Sequence, residues 1–98
     1  MQFLVIAHDY QEGGLQKRLA VRDQHVRMGD AMKAAGNYLM GVAMLNDQGQ
    51  MIGSVMVLDY PSREELDVWL KVEPYMVDKV WEKVEIIPCK VGPTFMKK

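Results

Sequence analysis

Ninety-eight residues suffice for one domain with a radius of about 13 Å and exclude a second domain or a long linker, so residues 1–98 are read as one unit. Twelve Lys and Arg against thirteen Asp and Glu leave a net charge of -1, and no basic footprint argues for nucleic acid or an anionic membrane surface. At 49% hydrophobic and 26% charged the chain can build a core, but so small a domain has limited surface to bury and often gains stability by association.

Cys89 is the single cysteine and cannot close an internal disulfide; with two histidines it is too little for a structural zinc site, so no metal is expected and a reducing, cytoplasmic setting is. The opening residues Met1 to Asp9 carry no basic leader, and no apolar run approaches the ~20 residues that span a bilayer. Neither a signal peptide nor a membrane-embedded form is expected.

Phe3 to His8 is a short apolar run closed by the turn-prone Asp9 to Gly14, which predicts the first strand. Val21, His25, Met28, Met32 and Ala35 recur at helical steps and predict a helix over 15–35, stopped by Gly36-Asn37. Tyr38 to Leu45 and Met51 to Asp59 are apolar runs joined by a polar, Gly49-containing connection, the pattern of an antiparallel hairpin. Pro61 to Glu65 reads as a helix start, with Pro61 in the first turn and a Ser62 to Glu65 capping box, and Leu66, Trp69 and Leu70 as the buried side. Pro74 interrupts that helix, Tyr75 to Val80 reads as a short turn, and Val84 to Val91 as a last strand whose Pro88 demands a sheet edge or a bulge.

This order, β-α-β-β-α-β, predicts an α+β, ferredoxin-like domain: a four-stranded antiparallel sheet with two helices on one face. A sheet with one wet face should alternate apolar and polar residues, and this one does not. In the second strand Tyr38, Met40, Val42 and Met44 form one parity and Leu39, Gly41, Ala43 and Leu45 the other; in the third, Val55 and Val57 oppose Met56 and Leu58. Both faces call for burial, so the open face must meet another sheet, a ligand or both, and a homodimer through it is the simplest expectation.

His25 occupies a stripe position that asks for a hydrophobe, and Arg18 and Arg22 share its helical face. Three potentially cationic groups need an anion: Asp or Glu of the same chain, or a substrate carboxylate, phenolate or enolate held by the planar donors of Arg. Glu73 stands at the helix break, either a solvated helix-end residue or one directed inward. Ser54 beside Gly53 is either a small residue at a crowded position or a hydroxyl lining a cavity, and His8 reads as surface, with Asp9 near a pocket mouth. The nine methionines read as adaptable core and interface filler rather than a metal box.

Arg18-Leu19-Ala20-Val21-Arg22-Asp23-Gln24-His25 resembles the Arg-x-x-x-Arg-x-x-His signature of the YCII-related (YciI-like) family, and the likeness extends through Asp9, Gly36, Gly53-Ser54, Glu73-Pro74-Tyr75 and Pro88. The resemblance implies a dimeric α+β barrel and a pocket built on a His and acid pair, with Glu73 where the family usually carries Asp. Relatives of that kind include a dehydrochlorinase of chlorinated hydroxyquinols, and the wider superfamily includes isomerases and monooxygenases that use no metal or organic cofactor. The implied activity is therefore a cofactor-independent lyase or isomerase moving a proton on an anionic ring. His25 would be the general acid or base, Glu73 its orienting partner, and Arg18, Arg22, Ser54 and Tyr75 the residues that bind a small anionic organic ligand. The alternatives are a non-catalytic domain that holds a small anion in the same pocket, and a purely structural dimer in which the Arg and His cluster is an internal salt-bridge network.

Overall fold

Strict alternation in the first strand decides which side of the sheet becomes the core. In the computed structural model, which describes residues 1–96, β1 runs Gln2–Asp9 with Phe3, Val5 and Ala7 fully buried and Leu4 and Ile6 turned to the other side. It is followed by α1 (Gly14–Ala34), β2 (Tyr38–Leu45), β3 (Met51–Asp59), α2 (Arg63–Val72), α3 (Pro74–Val77), β4 (Trp81–Cys89) and α4 (Pro93–Met96). The sheet is antiparallel throughout in the order β2-β3-β1-β4, the ferredoxin-like arrangement, and β1 pairs with both β3 and β4. Its helix-facing side carries Met56 and Leu58 beside Phe3 and Val5, and closes against Leu66 and Trp69 of α2.

Local chemistry explains the element ends. Gly36, at φ 87°, ends α1: its amide donates to Lys33 O at 3.0 Å and that of Asn37 to Met32 O at 2.9 Å, the paired bonds of a left-handed helix terminus. The hairpin is closed by Asn46, whose Oδ1 accepts from the amides of Gln48 and Gln50 at 2.9 and 3.0 Å. Ser62 caps α2, its Oγ accepting from Glu65 N at 3.2 Å, so Pro61 stands before the cap rather than within the first turn. Pro88 faces Phe3 on β4, an edge strand, where its missing amide leaves no ladder bond unmade.

Two bulges correct the strand parities read from the sequence. Opposite β3, Tyr38 faces Leu58 and Met40 faces Val57, so Leu39 is an extra residue and Tyr38 joins Gly41 and Ala43 on the helix side. Opposite β1, Asp9 faces Trp81 and His8 faces Lys83, so the extra residue Glu82 lets the strand begin at Trp81, three residues earlier than its apolar pattern suggested. The open side of the sheet keeps Met40 57%, Val42 51% and Ile87 44% exposed. Among the described residues no helix is long and apolar enough to cross a membrane.

Candidate functional site

Alternation carries Asp9 to the helix-facing side of β1 with Phe3, Val5 and Ala7, beneath the first turns of α1. There it meets Arg18, which is 3% exposed: Nε donates to Asp9 Oδ2 at 2.7 Å, and Nη2 to Oδ1 at 2.8 Å. Nη2 also donates to Ser54 Oγ at 2.9 Å. A buried guanidinium is tolerated only with such pairing, and the two-pronged geometry fixes its plane as well as its charge.

Seven residues further along α1, a rise of about 10 Å, stands His25. Its Nδ1 lies 2.5 Å from Oε1 of Glu73, which is 1% exposed. Glu73 reaches this place because Pro74 follows it: the residue before a proline is steered out of helical geometry, and Glu73 adopts φ -62° and ψ 125° as the end of α2 and the cap of α3. The same Oε1 accepts from Tyr75 N at 3.2 Å, so one buried oxygen serves both the imidazole and the next backbone turn.

The Tyr75 ring links the two ion pairs. His25 stacks on it with centroids 3.9 Å apart and planes within 7°, while the Arg18 Cζ stands 4.6 Å from the same centroid. One phenol ring therefore contacts both the imidazole and the guanidinium. Trp81 abuts His25 and Tyr75 edge-on, at 6.3 and 5.7 Å. Burial pushes the Tyr75 phenol above its ordinary value; Arg18 and Arg22 pull the other way and Glu73 adds to the rise.

Above this stack lies a cavity of about 220 Å³ between α1, β2, β3 and α3. Arg18, Arg22, His25, Ser54 and Tyr75 all border it, and Glu73 stands behind His25, so the six residues singled out in the sequence meet in one place. Arg22 is exposed and makes no ion pair among the described residues. With Nδ1–H donated to Glu73, a neutral His25 keeps its lone pair on Nε2, the arrangement of an imidazole base. Arg18, by contrast, has its charge matched by Asp9 and contributes a wall more than a free cation.

Asp9 and Tyr38 were not among those residues. Asp9 lines the cleft beside His8 and is also the buried partner of Arg18, and its parity with Ala7 was the available signal for that second role. Tyr38 borders the cavity through the bulge at Leu39, which nothing in the apolar pattern announces. His8 borders a separate, wider cleft of about 610 Å³ at the hairpin end of β1. Cys89 ends the edge strand, away from the cavity. Among the described residues no three His, Cys, Asp or Glu side chains cluster as metal ligands would.

Two curated proteins named YciI, from Escherichia coli O6:H1 and Shigella flexneri, are each 29% identical to this chain over 96 residues, covering 92% of it and 97% of theirs. Among solved structures, 5-chloro-2-hydroxyhydroquinone dehydrochlorinase (TftG) of Burkholderia phenoliruptrix, in complex with 2,5-dihydroxybenzoquinone, superposes with a TM-score of 0.83 at 21% identity, over 96% of this chain and 98% of that one. Protein Atu4242 of Agrobacterium tumefaciens superposes less closely, with a TM-score of 0.51 at 16% identity, over 95% and 98% of the two chains. The model of the YCII-related domain matches residues 1–90, and the chain belongs to the YCII-related family.

Proposed function

We propose that this protein is a small lyase or isomerase that moves a proton on an anionic, oxygen-substituted ring, with His25 as the base. The observation that carries the reading is the 2.5 Å bond between His25 Nδ1 and the buried Glu73 carboxylate, which fixes the imidazole at the edge of a cavity. A volume of about 220 Å³ lies below the ~300–1,000 Å³ of drug-sized sites and suits a single substituted ring. Arg22 supplies the cation that holds the ring's oxyanion, and Arg18, Ser54 and Tyr75 form the polar wall it rests against. The likeness in fold to a dehydrochlorinase supports a chlorinated hydroxyquinol as one substrate class. Loss of HCl from such a ring balances through its keto tautomer. One hydroxyl proton moves to the chlorine-bearing carbon, Nε2 of His25 takes a second hydroxyl proton, the electron pair left on that oxygen forms a carbonyl and shifts the ring double bond, and the carbon–chlorine pair departs as chloride to leave a hydroxyquinone. The active unit we propose is a homodimer joined through the open sheet face, where Met40 and Val42 stand exposed.

A second reading, a non-catalytic domain that holds a small anion, draws support from the Asp9–Arg18 pair, whose buried charges already balance each other without a substrate. Chloride release from 5-chloro-2-hydroxyhydroquinone, together with binding of 2,5-dihydroxybenzoquinone, separates the two. His25→Ala should melt near the wild type and turn over ~100 to 10,000 times more slowly. Glu73→Gln keeps an acceptor oxygen for Nδ1–H and Tyr75 N but removes the negative charge that stabilises the imidazolium formed on proton transfer, and should lower turnover. Quinone binding without chloride release supports the anion-holding domain, and a stable, fully active His25→Ala variant ends the role of His25.

A further inference from the structure

Tyr38 opens β2 with its ring on the helix side of the sheet, in a slot made by two glycines. A Cβ at Gly29 of α1 would stand 3.1 Å from Cε2 of the ring, and a Cβ at Gly41 would fall where the phenol oxygen now sits. A side chain at Gly41 would displace the phenol, so the glycine fixes where the hydroxyl lies. Tyr38 borders the cavity that Arg22, His25 and Tyr75 also line, and its oxygen lies over Gly41, another residue of that lining. Tyr38 and His25 share the wall of the adjoining recess as well. Among the described residues the hydroxyl has no hydrogen-bond partner.

We propose, resting on the proton-transfer reading above, that Tyr38 is a catalytic hydrogen-bond donor, its O–H binding a carbonyl or developing oxyanion of the substrate ring while His25 takes the proton. The substrate is then a ring with two distinct oxygen functions, one anionic and held by Arg22, the other an acceptor held by Tyr38. Burial, with the Glu73 carboxylate and the Tyr75 phenol adding to it, pushes the Tyr38 phenol up, so it remains an O–H donor across the neutral range. A residue that merely fills the slot would work equally well as Phe. A donor would not.

Tyr38→Phe keeps the ring between the glycines and deletes only the hydroxyl. Titration of 2,5-dihydroxybenzoquinone into the wild type, Tyr38→Phe and His25→Ala, with thermal melts of each, tests the assignment. Tyr38→Phe should melt with the wild type and bind the quinone about tenfold more weakly, the loss of one hydrogen bond. Quinone affinity unchanged in Tyr38→Phe but lost in His25→Ala would overturn the role of Tyr38 and leave the proton-transfer reading standing; a wild type that does not bind the quinone overturns both. Should Tyr38→Phe fail to fold, Gly41→Ala, which keeps the hydroxyl but forces it from its seat, must weaken binding likewise, and wild-type affinity in that variant refutes the proposal.

Discussion

Removing the Asp9 carboxylate strands a charge, and the structure sets the size of the effect. In the wild type Arg18 and Asp9 side chains are 3% and 4% exposed and joined by two bonds of 2.7 and 2.8 Å. Asp9→Ala leaves the guanidinium with Ser54 Oγ and the Tyr75 face as its polar company, neither of which carries a negative charge. Breaking a buried pair on one side costs about 3–5 kcal/mol, a large part of the ~5–15 kcal/mol that holds a domain folded. At roughly 4–8 °C per kcal/mol for a chain of this size, Tm should fall by at least ~12 °C. The half-exposed pair Arg63–Asp67, at 51% and 47%, is the internal control: Asp67→Ala should cost no more than ~0.5 kcal/mol and shift Tm by less than ~4 °C. Calorimetric melts at pH 7 measure both. Removing the two charges together, as Asp9→Leu with Arg18→Met, should recover much of the loss. An Asp9→Ala protein melting within ~4 °C of the wild type would refute the view that this pair is a buried, mutually dependent one.

Stability should also fall in alkali. Tyr38, Tyr60 and Tyr75 all have phenols raised above 10.0 by burial, so the folded state holds these protons more tightly than the unfolded chain does. Their contribution is complete below pH ~10 and is lost as pH rises through the folded values; denaturant midpoints that stay level from pH 8 to 12 would contradict this. The proposed homodimer predicts a dimer mass in sedimentation at micromolar concentration, and a well-folded monomer there would remove it.

Much of the fold was legible because its signals are local. The bounds of β2 and β3 follow from apolar runs flanked by turn residues, and the stop at Gly36-Asn37 from the left-handed geometry that Gly36 adopts. Pro88 called for a sheet edge or a bulge, because a missing amide is a property of one residue, and β4 is an edge strand. Bulges are different. The extra residues Leu39 and Glu82 are defined only against their partner strands, so neither the facing of Tyr38 nor the start of β4 at Trp81 is written in its own segment. Asp9 was an intermediate case: its parity with Phe3, Val5 and Ala7 was visible, but a strand ended at His8 left it to the loop.

The candidate site shows the same division between what a helix fixes and what a fold supplies. Arg18, Arg22 and His25 on one helical face demanded anions, and spacing along α1 could not say whether those came from the chain or from a ligand. The fold supplies two of them by separate devices: strand alternation brings Asp9 to Arg18, and the residue-before-proline geometry brings Glu73 to His25. Arg18 and Arg22 against Asp9 and Glu73 set two cations against two carboxylates around His25. Attraction for an anionic ring then depends on arrangement rather than sum. Both carboxylates are buried behind their partners, while Arg22, set between Arg18 and His25 on α1, faces the cavity unpaired among the described residues. In the proposed function an anion therefore meets, at the cavity, a cation without a counter-charge among the described residues, beside an imidazole whose orientation the chain does provide.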